Sequence, residues 1–92
     1  MNNEIKNTVT NIIYLLENNE QMAWAEQFIT LNDELDSDYT FALVSLKKQF
    51  GRMGSFSDLI LHKNRIPLIT ENDELEELKN KLYALLKLEM YK

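Results

Sequence analysis

The sequence predicts an all-α domain, a small bundle of four to five helices with a glycine-containing loop before a short segment and a long C-terminal helix. Three observations carry this. Apolar residues recur at helical spacing in four separate blocks. Both glycines, Gly51 and Gly54, and the single proline, Pro67, fall between residues 51 and 67, so the blocks themselves are uninterrupted. The last block is acidic at its start and basic further on, the order that the helix dipole favours. With 92 residues the chain is read as one helical domain, 1–92, with one core. A domain of this size buries only about 60–65% of the surface its unfolded chain exposes, which makes modest stability the expectation.

The first helix is expected from Asn3 to Asn18, where Ile5, Val9, Ile12 and Leu16 form a stripe widened by Ile13 and Leu15. Tyr14 lies opposite. The polar turn Glu17-Asn18-Asn19-Glu20 ends the pattern and offers Asn caps. A second helix follows over Glu20 to Leu31, with Trp24, Phe28, Leu31 and Leu35 on its buried face; a lone Trp on such a stripe is read as core. The run Asn32 to Asp38 carries four acids, Asp33, Glu34, Asp36 and Asp38. It reads as the start of a third helix capped by Asp36 or Ser37, and as an acidic patch for a basic partner. The two readings are compatible, because capping occupies only one or two carboxylates. An EF-hand is excluded by the missing glycine and terminal glutamate.

The third helix is expected over Asp38 to Phe50. Tyr39, Ala42, Leu43, Leu46 and Phe50 form one stripe, while Phe41 and Val44 lie on the other side. Apolar residues on two faces suggest a central position in the bundle. Gly51 suits the position just past the helix end. Beyond the glycines, Ser57-Asp58 can start a helical turn, and Leu59-Ile60-Leu61 is read as a short helix or extended segment packed on the bundle. His62 is read as a surface residue. In the final helix, Thr70 or Asn72 caps, Glu71, Asp73, Glu74, Glu76 and Glu77 load the first turns, and Lys79, Lys81 and Lys87 follow. Leu75, Leu78, Leu82, Leu85 and Leu86 supply the core-facing arc. The pattern I-T-x-N-D-E-L occurs twice, at Ile29–Leu35 and Ile69–Leu75, and is attributed to recurring helix-boundary chemistry.

Charge is distributed unevenly around its net value of −5. Residues 1–46 hold eight acids against Lys6 alone, and residues 66–92 hold six acids against four bases. Residues 47–65 reverse this, with Lys47, Lys48, Arg52, Lys63 and Arg65 against Asp58. Direct nucleic-acid binding needs a dominant basic surface and is not expected. An acidic surface instead attracts a basic protein partner. There is no cysteine, hence no disulfide framework. The N-terminal residues lack signal-peptide character, and no apolar run approaches the ~20 residues of a transmembrane helix. A cytoplasmic location away from membranes is the expectation.

Gly51 and Gly54 fit neither the dinucleotide fingerprint nor the P-loop. Ser55 or Ser57 with Asp58 and His62 lacks any sign of a nucleophile elbow. His62 has no second ligand beside it for a metal, and fifteen acids in 92 residues form carboxylate pairs by chance. No catalytic residue, metal site or cofactor is assigned, and an enzyme is not expected.

The stretch Gly51-Arg52-Met53-Gly54-Ser55-Phe56-Ser57-Asp58-Leu59-Ile60-Leu61 resembles the G-G-M-G-S-F-N-D-L-V-L signature of small helical bacterial proteins. Some of these resemble immunity proteins of contact-dependent growth inhibition and other polymorphic toxin systems. The specific match covers these eleven residues; softer similarity extends to the Trp24 helix and to Leu78–Leu86. Arg52 and Ser57 depart from the signature's second Gly and its Asn. Within the fold, Gly51 is expected to end a helix, Met53 and Phe56 to plug the core, and Ser55, Ser57 or Asp58 to satisfy the next segment's N–H groups. Gly54 completes the motif. The resemblance implies no catalytic residue. It implies a partner, a cognate toxin domain that is often a nuclease with a basic cleft, bound by a monomer of this chain. The residues expected to meet it are Asp33, Glu34, Asp36 and Asp38, then Glu71, Asp73, Glu74, Glu76 and Glu77, with Phe41 as an apolar anchor. The alternative is a regulatory or scaffolding helical module that pairs with itself or with a housekeeping protein.

Overall fold

The computed structural model describes residues 3–51 and 55–91. Four helices dominate: α1 (Asn3–Asn18), α2 (Met22–Ser37), α3 (Tyr39–Lys47) and α4 (Ile69–Met90). Between α3 and α4 lie a single 3₁₀ turn (Phe56–Asp58) and a minimal hairpin, β1 (His62–Lys63) with β2 (Ile66–Pro67). The molecule is an elongated all-α bundle, 41 × 22 × 21 Å.

α1 is the central helix. Ile5, Thr8, Val9, Ile12, Ile13, Leu15 and Leu16 are all buried on it, an arc wide enough to pack α2 on one side and α4 on the other. Thr8 is tolerated there because its hydroxyl donates to the Glu4 carbonyl at 2.7 Å. α1 ends in a Schellman motif: the Gln21 N–H reaches the Leu16 carbonyl at 2.9 Å and Glu20 takes a φ of 62°. The Asn19 side chain donates to the Leu15 carbonyl at 2.8 Å. The chain then reverses into α2. Lys6 meets Asp36 and Thr10 meets Asn32, which fixes the two helices as antiparallel.

Two expectations about the join of α2 and α3 need correction. α2 does not stop at Leu31 but runs through the acidic stretch to Ser37. Leu35 is buried, and its contribution to the core outweighs the poor fit of Asp33, Glu34 and Asp36 to the negative end of the helix dipole. Capping of α3 therefore falls to Asp38, whose carboxylate accepts from the Phe41 N–H at 3.2 Å, and not to Asp36 or Ser37.

Nor is α3 central. It is short, it buries only Ala42, Leu43 and Leu46, and it leaves Phe41 55% and Val44 39% exposed. Its α-helical part ends at Lys47; turns carry the chain to Phe50 and then to Gly51 with a φ of 87°.

The hairpin was not foreseen. Asn64 and Arg65 both adopt positive φ, 54° and 66°, the pattern of a type I′ turn. His62 pairs with Pro67 and Lys63 with Ile66. α4 begins at Ile69 after Leu68, so neither Thr70 nor Asn72 is its cap. The Asn72 side chain is used elsewhere.

Candidate functional site

The most specific construction in the molecule is the segment between Gly51 and Leu61 and its attachment to α4. Nothing lies within 4 Å of where a Gly51 side chain would begin, so glycine is needed there for its positive φ and not for space. Residues 55–57 lie against the end of α3. The Ser57 N–H donates to the Gln49 carbonyl at 3.3 Å, and the Ser57 hydroxyl accepts from the Gly51 N–H at 3.4 Å while contacting the Ser55 hydroxyl at 2.8 Å. Ser57 thus closes the loop backwards; it does not cap the segment that follows. Phe56 is fully buried, with ring centroids at 4.5 Å from Phe28, 5.7 Å from Trp24 and 6.1 Å from Phe50. Met53 and Gly54 lie outside the described residues.

Two polar side chains of α4 hold this segment. Asn72 receives the Leu61 N–H on its amide oxygen at 2.7 Å and donates to the Leu61 carbonyl at 2.9 Å. Lys79, only 4% exposed, donates to the carbonyls of Leu59 at 2.8 Å and Ser57 at 3.2 Å. Its ammonium also lies 3.7 Å from the Glu76 carboxylate and 5.5 Å from the Phe56 ring centroid. Burial lowers the Lys79 pKa below its usual 10.5, and the negative charges of Glu76 and Asp58 oppose that shift. Lys79 is therefore a buried clamp and not a solvated dipole partner. Sequence reasoning takes Asn72 as a candidate helix cap and Lys79 as a base matched to the helix dipole. The available signal was spacing: Asn72 and Lys79 alternate with Leu75, Leu82 and Leu86 at steps of three and four, so they share the buried face.

Two grooves open on either side of the Lys79–Ser57 contact. One, of about 500 Å³, is lined by Lys47, Phe50, Tyr83 and Asn80, with Lys79 and Glu76 at its boundary. Lys47 and Lys87 lie 5.3 and 5.6 Å from the Tyr83 ring centroid, so this side carries positive charge. The other, of about 620 Å³, runs between residues 57–62, Pro67 and the first turns of α4. Leu59, Ile60, Pro67 and Ile69 give it an apolar lining, and its carboxylates are Asp58, Asp73 and Glu76.

No protein-family model, characterised protein or solved structure matches this chain. The fold and its grooves therefore have to be interpreted from their own chemistry.

The two acidic clusters expected to meet a partner are not brought together. Lys6 near the start of α1 binds Asp36 at 2.7 Å, and the Tyr39 hydroxyl binds Glu89 at 2.8 Å, which places residues 33–39 beside the far end of α4. Glu71–Glu77 lie 12–18 residues earlier on that helix, about 18–27 Å away along its axis. Within the first cluster Asp36 is tied to Lys6, Asp38 caps α3, Glu34 is half-buried, and Asp33 is exposed. In the second, Asp73, Glu74, Glu76 and Glu77 are exposed and Glu71 is half-buried. Phe41 is exposed on α3. Among the described residues no group of three or more His, Asp or Glu side chains is arranged to hold a metal ion, and no helix is long and apolar enough to cross a membrane.

Proposed function

We propose that this chain is an immunity protein that binds a cognate bacterial toxin domain, a nuclease in the first instance, and neutralises it by occupying its basic cleft with acidic side chains. The observation that carries the reading is the acidic start of α4, where Asp73, Glu74, Glu76 and Glu77 are exposed and Asp73 and Glu76 share a groove with the exposed apolar residues Ile60 and Ile69. An apolar patch with charged surroundings suits docking to a protein, and the carboxylates suit a surface that otherwise receives phosphates. The resemblance of Gly51–Leu61 to immunity-like proteins supports the same reading.

Co-expression with the C-terminal toxin domain encoded immediately upstream of the gene tests it. Restored growth and co-elution of the two chains are expected. Continued killing despite soluble expression, or a harmless upstream product, removes that pairing. A second reading, a self-associating or scaffolding module, is favoured by the exposure of Phe41 and Val44 on α3. Sedimentation distinguishes it: a dimer dispersed by Phe41→Ser supports self-association, and a monomer at all concentrations removes it.

A further inference from the structure

We infer that the groove between residues 57–62 and the start of α4 is the docking surface, and that its occupant is an arginine or lysine side chain carried on an apolar segment of a protein partner. The inference rests on the direct-binding reading above and deepens it by choosing one end of the molecule. The groove is walled by a segment that is held in place. Asn72 grips Leu61 through both backbone groups, and Lys79 grips Ser57 and Leu59, so the wall is set before any partner arrives. Its apolar lining is open to water: Ile60 is 54% and Ile69 79% exposed. Such residues can cover the methylene stem of a long basic side chain.

Charge decides the occupant. This groove has three carboxylates, Asp58, Asp73 and Glu76, against the single ammonium of Lys79. Lys79 is turned inward to two carbonyls and pairs with Glu76 at 3.7 Å, so it offsets one of the three carboxylates and the balance of the groove stays negative. The neighbouring groove has the opposite balance, with Lys47 and Lys79 against Glu76. The basic hairpin does not cancel the difference. His62 and Pro67 pair and line the groove, whereas neither Lys63, which lies with His62 beside Asn18, Asn19 and Glu20 at the α1–α2 turn, nor Arg65 lines it. A cation entering from solvent is therefore drawn to the Ile60–Ile69 side and repelled from the Tyr83 side. Asp36 pairs with Lys6 and Asp38 caps α3, and none of the acids of residues 33–38 lines either groove.

The test uses the full chain, isotope-labelled, titrated with acetyl-leucyl-arginine amide and, in parallel, with the uncharged citrulline analogue. Saturable amide shifts confined to residues 57–62 and 67–76 are expected for the arginine probe, with at least five-fold weaker binding of the citrulline probe. Asp73→Lys and Ile69→Ser, both at exposed positions that leave the fold intact, should each weaken the arginine probe at least five-fold, and Asp33→Lys should leave it unchanged. Equal affinity for the two probes, shifts centred on residues 33–38 or absent altogether, or indifference to Asp73→Lys overturns the inference. The outcome is separable from toxin rescue. Rescue without groove binding leaves the immunity reading and removes the groove, whereas groove binding without rescue removes that toxin pairing and leaves the groove as a cation-recognising surface.

Discussion

Residues 29–35 in α2 and residues 69–75 in α4 spell the same pattern, I-T-x-N-D-E-L, forty positions apart. Both copies are helical and both bury the leucine, Leu35 at 2% and Leu75 at 1% exposure, while the isoleucine is 38% exposed in the first copy and 79% in the second. They part in what surrounds them. The first copy lies well inside α2, so its acids sit towards the negative end of the dipole, and Lys6 of α1 brings a positive charge beside them by binding the Asn32 carbonyl and Asp36, the residue just past the pattern. The second opens α4, where the same acids meet the positive end and stay exposed. The local pattern sets which side is buried. Position along the helix sets which end of the dipole the acids meet.

The shared part of this comparison gives the largest expected effect. Leu35→Ala and Leu75→Ala should each cost about 2–5 kcal/mol, because each removes a fully packed side chain and leaves a cavity. Denaturant unfolding measures both. A cost below ~1 kcal/mol for one leucine alone would show that the two copies are not equivalent in the core.

Lys79 sharpens the difference between the two ends, since nothing in α2 corresponds to it. Lys79→Met keeps the stem and removes the donors to Ser57 and Leu59, with an expected cost of about 2–3 kcal/mol and faster amide exchange at residues 57–61. Its pH dependence has a definite sign. The folded pKa is lowered beneath 10.5, so between the two values the unfolded chain binds more protons. The contribution of Lys79 therefore rises as pH climbs through the lowered pKa towards 10.5, and is constant below that window. Wild-type stability minus that of Lys79→Met should increase over this alkaline range. A decrease would reverse the assignment of burial as the dominant cause.

The helical architecture was legible because stripes such as Ile5, Val9, Ile12 and Leu16 are long and regular. α1 was read with its observed ends, and α4 as the long final helix. What escaped reading is of two kinds. The join at residues 32–38 misled because Asp, Asn and Ser favour caps locally, while burial of Leu35, a tertiary term, carried α2 through them. The hairpin escaped because it consists of two-residue strands around Asn64 and Arg65, where glycine is the usual mark. The candidate site was only half visible. Its carboxylates and Ile60 stand in the sequence, but their convergence depends on Asn72 and Lys79, polar residues whose burial periodicity alone could have revealed. The acids at 33–38 looked equally good as partner contacts because sequence does not record that Lys6 and the α3 N-terminus already use two of them.

The smallest effect discriminates best between the two copies, because one substitution is made at the same place in the same pattern. Asn72→Ala strips Leu61 of its N–H partner and of one carbonyl contact, which leaves the carbonyl only the Leu68 N–H at 3.0 Å; about 1–3 kcal/mol should be lost. Asn32→Ala removes a single amide contact, at 3.2 Å to the Thr10 hydroxyl, together with an amide oxygen that is buried without a hydrogen-bond partner. Deleting that oxygen also relieves its desolvation cost, so the net change should stay within about 1 kcal/mol. Paired urea titrations give the difference directly. If Asn32→Ala proves the costlier of the two, the α1–α2 contact and not the Leu61 clamp is where this asparagine matters. The pre-set wall of the groove would then need another source of rigidity than α4.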